Sequence, residues 1–394
     1  MTKKRSHIYL DYSATTPVDP VVTSVISEHL TTTIGNASSI HAFGRTAKVV
    51  LEESREVVAN SIGAEPSELF FTSGGTEADN HAVIGAALAQ QRDHGKNHIV
   101  VSSIEHHAVL HCVEYLLRSG FTASYIPVDK DGLIHTKEIE KLITRQTCLI
   151  SVMHSNNEVG TIQPVGEISE LAKRFGITFH SDTVQSIGKI PVNVNNLGMD
   201  LLSISAHKIY GPKGIGAIYI RKGTNLDALL HGGSQERKNR AGTENIPLIA
   251  GFAKAIELAD VHRGKVFTHV SSLKSTLKKI IAQSLSGIII NGDGADALPH
   301  ILNISLDSTI YDVESESLLL NMDLQGVAVS SGSACTSGSI QPSHVLNAMG
   351  RDVKTTQATI RFSFGKFTTM EEVEQAGKIF VSIVQSLPRK KGSN

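Results

Sequence analysis

Short apolar segments alternate with amphipathic segments from residue 41 to about 220 of this 394-residue chain. The apolar segments have the length of buried strands, and the segments between them carry apolar residues at spacings of three and four, which is typical of helices. Strands that alternate with helices form a mostly parallel sheet covered on both faces. The sequence therefore predicts an α/β fold.

The pattern predicts individual elements. The predicted strands of this part, which give a seven-stranded sheet, are 68–72, 98–102, 122–126, 147–153, 177–181, 201–205 and a hairpin strand at 215–220. The predicted helices are 47–58, 76–91, 107–118, 136–143 and 165–175. The next predicted helix covers 247–261.

The order of elements changes after residue 262. The predicted elements there are a helix at 265–284, strands at 288–290 and 301–306, a helix at 313–321, a strand at 327–330, a long polar loop, a strand at 359–363 and a last helix from 370. This order predicts a smaller α+β domain. We place the large domain at 15–262 and the small domain at 1–14 and 263–394.

Composition excludes several classes of protein. Three cysteines are an odd number without CxxC spacing, which argues against a disulfide framework and a zinc site. The net charge of −1 gives no reason to propose nucleic acid or an anionic membrane as a partner. Asp11 and Pro17 leave no room for the apolar core of a signal peptide. We expect a cytoplasmic protein with no metal and no membrane span.

An α/β sheet binds its ligands at the carboxyl ends of its strands, so the chemistry is expected in the loops that follow. Gly74, Gly75 and Thr76 stand after the strand 68–72, where a helix begins. Free backbone N–H groups, glycines that permit close approach and a hydroxyl form a cradle for an anion or a phosphate. An ordinary helix cap is the alternative interpretation of the same residues.

Two further loops carry charged residues at strand ends. Asp182 follows the strand 177–181, where a carboxylate can stabilise a protonated ring nitrogen or act as an ordinary helix cap. Lys208 follows the strand 201–205, where burial would lower the pKa of its amine and make it a nucleophile; a surface-turn lysine is the alternative. A phosphate cradle, a carboxylate and a buried lysine are together what pyridoxal phosphate (PLP) requires.

Eight sequence strings carry a family resemblance: YLDYSATTP, SGGTEADN, EHHAVL, NNEVG, SISAHKIYGPKGIGA, RAGTEN, SSGSACTSG and IRFSFGKFTT. With them the chain resembles the NifS/IscS-type cysteine desulfurases, which are class V aminotransferase-family PLP enzymes of fold type I. The strings occur in the same order and span nearly the whole chain, so they are far more specific than any single glycine pattern. The resemblance implies the fold-type I architecture.

The resemblance also implies roles for individual residues. Lys208 would be the Schiff-base lysine, and Asp182 would pair with the pyridine nitrogen. Gln185 would bond the phenolate oxygen of the cofactor, and His106 would stack over its ring and transfer protons. The other implied contacts are Gly75, Thr76, Ser205 and His207 to the phosphate, Thr243 to the phosphate from a second subunit, and Asn157, which contacts both the cofactor and, with Arg361, the substrate carboxylate.

Arg361 stands in the otherwise apolar strand TIRFSF. A guanidinium that forms two parallel hydrogen bonds suits a carboxylate, which agrees with the role that the resemblance implies. A structural ion pair is the alternative.

The three cysteines differ in their settings. Cys112 falls in the apolar period of a predicted helix and Cys148 in a predicted strand, so both are predicted to be small core residues. Cys335 lies among small residues, which suit a mobile loop at about 329–341. The resemblance implies that its thiol accepts the sulfur, which requires an exposed side chain that can swing. An incidental loop cysteine is the alternative.

The implied function is PLP-dependent removal of sulfur from L-cysteine, with L-alanine and a persulfide on Cys335 as products. The implied partners are a second copy of the chain and sulfur-acceptor proteins such as an iron–sulfur cluster scaffold. A selenocysteine lyase or another class V PLP enzyme is the alternative within the fold. A catalytically silent scaffold is the alternative of another class, and the presence of Lys208, Asp182, His106 and Cys335 together argues against it.

Two features depart from the family pattern. Gly75 stands where many members have alanine, at a backbone contact. The sequence stops at Asn394, soon after its last predicted helix. Some housekeeping members carry a longer extension that engages the iron–sulfur scaffold, so that docking mode is not part of the prediction.

Overall fold

The structure, a computed structural model, describes residues 7–294, 296–331 and 342–389, and the backbone of residues 335–336 and 339–340. Its strands are β1 (Ile8–Tyr9), β2 (Leu69–Thr72), β3 (His98–Ser102), β4 (Thr122–Ile126), β5 (Thr147–Ser151), β6 (Thr178–Asp182), β7 (Leu201–Ser205), β8 (Gly216–Ile220), β9 (Ile288–Asn291), β10 (Ile301–Leu306), β11 (Val327–Ala328), β12 (Cys335–Thr336), β13 (Ser339–Ile340) and β14 (Thr359–Ser363). Its helices are α1 (Pro20–Thr32), α2 (Ala42–Ser61), α3 (Gly75–Asn80), α4 (Ala86–His94), α5 (His107–Arg118), α6 (Thr136–Leu142), α7 (Val165–Arg174), α8 (Val194–Leu197), α9 (Ile246–Ser284), α10 (Ser315–Leu324), α11 (His344–Ala348), α12 (Val353–Gln357) and α13 (Met370–Ser386).

Seven strands form the central sheet, in the order β2-β8-β7-β6-β5-β3-β4. Strand β8 runs antiparallel to both of its neighbours, and the remaining pairs are parallel. The six other strands therefore end at one edge of the sheet. The predicted mostly parallel seven-stranded sheet is confirmed.

Both faces of this sheet are covered, as the sequence pattern predicts. Along β3, Val100 faces one core, whereas Ile99 and Val101 face the other, because successive side chains of a strand point to opposite faces. Helices α1, α2, α7 and the first part of α9 supply buried residues to the first core. Helices α4 and α5 supply them to the second.

Elements from both ends of the described chain build a separate core. Strands β14, β10 and β9 form an antiparallel sheet in that order, and β1 pairs with β11 in parallel. The second half of α9 packs here together with α10 and α13. The N-terminal strand therefore belongs with the C-terminal elements, although the division into domains at 262 stays a prediction.

Helix α9 differs from the sequence prediction, which ends one helix at 261 and begins another at 265. It runs for 39 residues without a break. Ile256 is its last fully buried residue in the larger core and Val270 its first in the smaller one. Gly264 between them weakens a helix by only about 1 kcal/mol relative to alanine, too little to end one that packs on both sides. Even so, none of the described helices is long and apolar enough to cross a membrane.

Three smaller differences concern local signals. The sequence prediction misses α1, although Asp19 caps it by accepting a hydrogen bond from the Val21 N–H at 2.8 Å and Pro20 is its first residue. The predicted continuous helix at 76–91 contains a π-helical turn at His81–Gly85. The long polar loop predicted after 330 contains the paired β12 and β13 and the short helices α11 and α12.

The cysteines follow the prediction where they are described. Cys112 and Cys148 are free and buried. The side chain of Cys335, and much of the predicted mobile loop at 329–341, lie outside the described residues.

Gly264→Ala should raise the free energy of unfolding by about 0.5–1 kcal/mol, because alanine loses less backbone entropy on folding and a Cβ there meets open space. Gly251→Ala in the same helix is the matched control. A Cβ at that position would come within 2.5 Å of Ile26, so we expect a loss of about 1–3 kcal/mol. Urea unfolding measures both, and destabilisation by Gly264→Ala would contradict a helix that is continuous through this region.

Candidate active site

A cleft of about 390 Å³ opens where the parallel strands end. The loops after β2, β3, β5, β6 and β7 contribute to it, and β14 contributes from the second sheet. Of the sequence-predicted residues, those that line the cleft are Gly75, Thr76, His106, Asn157, Asp182, Gln185, Ser205, His207, Lys208 and Arg361. Thr243 does not line it, and the side chain of Cys335 lies outside the described residues.

The amine of Lys208 is held by backbone oxygens. Its Nζ donates to the carbonyl of Ser13 at 2.5 Å and to that of Ala14 at 2.7 Å. Burial and, to a lesser extent, the positive charge of Arg361 together lower the pKa of Lys208 to about 8, against the raising effect of Asp182. The amine therefore loses its proton far more readily than that of a surface lysine, which favours the nucleophile interpretation.

Asp182 lies buried at the end of β6, with Asp79 nearby. Burial and, to a lesser extent, the Asp79 carboxylate together raise the pKa of Asp182 to about 7. The Oδ1 atom of Asp182 accepts a hydrogen bond from the Val184 N–H at 2.8 Å, so the residue also caps the following turn, as its alternative interpretation proposes. A buried carboxylate of this kind gains most from a positively charged partner.

Gly74 and Gly75 shape the start of α3. Gly74 has φ +155°, a conformation that favours glycine. A Cβ on Gly75 would come within 2.9 Å of Val184 and 3.4 Å of Ser205. The backbone therefore approaches the neighbouring loops closely, and the first N–H groups of the helix remain available for an anion.

The two histidines of the predicted site are neutral at physiological pH. His106 is exposed to the cleft, yet desolvation by the walls lowers its pKa to about 4, with Lys208 adding to the effect. Its Nδ1 accepts a hydrogen bond from the Ala108 N–H at 3.1 Å, so the proton of the neutral ring is on Nε2. Burial likewise lowers the pKa of His207 to about 4, and its Nδ1 lies 3.1 Å from Thr15 Oγ1.

Arg361 is only 3% exposed and is partly occupied by protein groups. Its Nη2 pairs with Asp11 at 2.7 Å, and its Nη1 donates to the carbonyl of Asn157 at 2.8 Å. Its Nε has no hydrogen-bond partner in the part of the chain that the structure describes. The ion-pair alternative is therefore true of one nitrogen, while the residue also lines the cleft and keeps a buried nitrogen without a partner.

Sequence reasoning missed several contributors to the site. Ser13 supplies the carbonyl that accepts from both Lys208 and Gln185, and Asp79 lies fully buried at the cleft. Both stand inside strings that carry the resemblance, YLDYSATTP and SGGTEADN. Their positions in the motifs were a signal, but which of their atoms face the site depends on tertiary structure.

Comparison with known proteins decides the family. Residues 8–376 match the family Aminotransferase class-V. A protein named cysteine desulfurase IscS from Dictyoglomus turgidum is 46% identical over 383 residues, which cover 97% of this chain and 96% of that protein. The chain belongs to the class-V aminotransferase family, among the cysteine desulfurases. The predicted family is confirmed.

Other cysteine desulfurases and solved structures agree. A cysteine desulfurase IscS from Methanosarcina thermophila is 45% identical, covering 96% of this chain and 92% of that protein. The structure of a NifS-like protein has a TM-score of 0.89 at 38% identity, covering 97% of this chain and all of that one. A NifS-like protein from Rickettsia africae has a TM-score of 0.86 at 30% identity, covering 96% and 99%. The predicted fold type I and the dependence of this enzyme family on PLP are thereby confirmed.

In the cofactor-free protein the amine of Lys208 should react with an acylating reagent with a midpoint near pH 8, rather than near the ordinary value of about 10.4. Reactivity should rise with pH, because only the unprotonated amine is a nucleophile. Asp182→Asn removes a negative charge that raises the pKa of Lys208. The midpoint for Lys208 in this variant should therefore lie at a lower pH than in the wild type. Mass spectrometry of the Lys208 peptide gives the profile, with surface-lysine peptides from the same digest as the control; a Lys208 midpoint that coincides with theirs would contradict the assigned burial.

Proposed function

We propose that the cleft of this cysteine desulfurase holds PLP and takes the sulfur from L-cysteine, leaving L-alanine and a persulfide on Cys335. The observation that carries the proposal is one cleft that gathers a lysine of lowered pKa, a buried carboxylate and an arginine with an unpartnered nitrogen. The sulfur would then pass to acceptor proteins, such as an iron–sulfur cluster scaffold.

The residues of the cleft fit PLP. Its positively charged ring nitrogen would satisfy the buried Asp182 carboxylate, and the free N–H groups at the start of α3 suit its phosphate. Ser13 Oγ is buried with no partner among the described residues, as expected where a polar ligand belongs. The residues proposed to hold the cofactor are Gly75, Thr76, His106, Asn157, Asp182, Gln185, Ser205, His207 and Lys208, with Thr243 from a second subunit.

When bound, PLP supplies an electron sink next to the substrate Cα. The work of the protein is to hold the substrate and move its protons. The guanidinium of Arg361 would bind the substrate carboxylate, with Asn157 beside it. Lys208 Nζ would remove the Cα proton, because its lowered pKa of about 8 makes the free amine available near neutral pH. The Nε2–H of His106 is placed to donate a proton in the cleft.

Transfer of sulfur is proposed for Cys335. Its thiolate would attack the substrate sulfur, so that an S–S bond forms while the C–S bond breaks and the electron pair of that bond leaves with carbon. Protonation of the carbon gives alanine. The overall balance is L-cysteine plus enzyme thiol giving L-alanine plus enzyme persulfide, and no external oxidant is needed.

We also propose that residues 15–262 form one domain and residues 1–14 with 263–394 the other. Two separate apolar cores support this division. Lys208 belongs to the first group and Arg361 to the second, so the substrate would bind between them. A cytoplasmic location is proposed because the free thiols of Cys112 and Cys148 suit a reducing compartment.

A homodimer is proposed because Thr243 is exposed and does not line the cleft of its own chain. The preceding loop is anchored by Arg55, which makes two hydrogen bonds to the buried Glu236 at 2.7 and 2.9 Å. Arg240 in the same loop pairs with Glu77 of α3 at 2.7 Å. Thr243 is therefore held in place on the surface, where a hydroxyl can reach a second copy of the chain.

Exposed apolar side chains also support the homodimer. Ile34 is 73% exposed, Ile40 92% and Phe43 60%. The backbone beside Ile34 lies against that of Phe43, because a Cβ on the neighbouring Gly35 would come within 2.1 Å of the Phe43 carbonyl oxygen. A clustered apolar surface of this kind is typical of an interface.

Cys335→Ser should retain the PLP absorbance and lose persulfide formation, because only the sulfur acceptor is removed. Lys208→Ala should fail to retain PLP covalently after borohydride reduction. Cys148→Ala is the matched control, since its thiol is buried, and should still form the persulfide. Absorbance, mass spectrometry and alanine release are measured.

Three outcomes of this experiment would contradict the proposal. Covalent PLP in Lys208→Ala would show that the lysine is misassigned. A selenocysteine lyase would be favoured by two results together: Cys335→Ser acts on selenocysteine, and the wild type does not act on cysteine. Absence of cofactor absorbance in the wild type would favour a silent scaffold.

Thr243→Val should weaken PLP binding about threefold to tenfold through loss of one hydrogen bond, while Thr31→Val, an exposed control on α1, should not. Heterodimers test the origin of the contact. A dimer of one Lys208→Ala chain and one Thr243→Val chain should contain one wholly intact site with wild-type PLP affinity. If the site with Lys208 instead keeps the weakened affinity, Thr243 serves its own chain.

A further inference from the structure

We infer that Lys189 is a positioning residue that holds the side-chain amide of Gln185 in the orientation the cofactor requires. The inference rests on the proposed function, in which Gln185 donates a hydrogen bond to an oxygen of PLP. Lys189 itself does not line the cleft. It acts through Gln185.

The hydrogen bonds around Gln185 define its orientation. Lys189 Nζ donates to the backbone carbonyl of Gln185 at 3.0 Å and to its Oε1 at 3.3 Å. A charged lysine can only donate, so this contact favours oxygen at that end of the amide, and the acceptor carbonyl of Ser13 favours nitrogen at the other end. The nitrogen end is then Nε2, which donates one hydrogen to the carbonyl of Ser13 at 3.0 Å. One N–H of Nε2 remains for an acceptor in the cleft.

Without Lys189 only the Ser13 carbonyl would oppose a reversal of the amide. A glutamine amide has almost the same shape in both orientations, and only its hydrogen-bond partners decide between them. In the reversed orientation Oε1 would face the proposed phenolate oxygen, and two acceptors would repel each other. Lys189 and the Ser13 carbonyl therefore favour the same, donor orientation from opposite ends of the amide.

The setting of Lys189 is costly for a residue with only a packing role. Burial and, to a lesser extent, the positive charge of Lys208 together lower its pKa to about 7, and no carboxylate among the described residues counteracts them. An amine without a counter-ion in such a place costs free energy that an apolar side chain of similar size would avoid. Its two contacts to Gln185 are the interactions that only a donor can make.

The same network reaches the proposed catalytic amine. The carbonyl of Ser13 accepts from Gln185 Nε2 and from Lys208 Nζ at 2.5 Å. Contacts therefore run in sequence from Lys189 through Gln185 and Ser13 to Lys208. A turned amide would place an acceptor beside the Ser13 carbonyl and disturb the atom that holds the Lys208 amine.

A double-mutant cycle tests the inference. Full-length wild type, Lys189→Met, Gln185→Ala and the double variant are prepared as holoprotein, and the Kd of PLP is measured by equilibrium dialysis. Lys189→Met should weaken PLP binding about tenfold, and the same substitution in the Gln185→Ala background should change it less than about twofold. Lys189→Met should also shift the pH titration of the bound-cofactor absorbance in the wild-type background, where Gln185 is present. In the Gln185→Ala background it should not.

Lys274→Met is the matched control. Lys274 is another lysine whose pKa is lowered by burial, it donates to the carbonyl of Leu298, and it does not line the cleft. Its removal should leave PLP affinity unchanged. Lys189→Arg retains the donors, and a cavity of about 50 Å³ beside Lys189 gives room for the larger group. The affinity of this variant for PLP should therefore be within about threefold of the wild type.

The outcomes separate the inference from the proposed function. An equal loss of affinity in both backgrounds would show that Lys189 is structural and overturn the inference, as would wild-type affinity in Lys189→Met. A wild-type chain that binds no PLP would overturn the proposed function and the inference with it. If Lys189→Met does not fold, Lys189→Leu, which also lacks a donor, replaces it in the same cycle with the same expected non-additivity.

Discussion

Burial of polar groups at the carboxyl edge of the parallel sheet is the constraint on which this site depends. Lys208 and Asp182 stand at the ends of neighbouring strands β7 and β6, where water is largely excluded. Desolvation lowers the pKa of the amine and raises that of the carboxylate. The two groups are thereby brought close to their neutral states, in which they respond readily to a cofactor or substrate.

Such groups must find partners within the protein. The N-terminal segment supplies them, since the carbonyls of Ser13 and Ala14 accept from the Lys208 amine. Arg361 enters from the second sheet and is held by Asp11. The site is therefore complete only when the N-terminal segment and both sheets have packed together, which couples the proposed chemistry to the tertiary fold.

Local patterns predicted most of the central sheet because its strands are buried on both sides and its helices are strongly amphipathic. They failed where long-range packing decides the outcome. Helix α9 continues through 262 because each of its halves packs on a different core. Helix α1 was missed even though Asp19 and Pro20 mark its start. For the site, the motifs indicated Lys208, Asp182 and their neighbours, but Lys189 carried no motif signal of its own.

The sequence by itself determined the family, the α/β class and the identity of the chemical groups, because motif order and hydrophobic period are properties of the linear chain. Only the tertiary structure decided how those groups meet. It decided that Arg361 both pairs with Asp11 and lines the cleft, and that Lys189 contacts Gln185. These are contacts of particular atoms, and they depend on burial and orientation that no spacing of residues along the chain specifies.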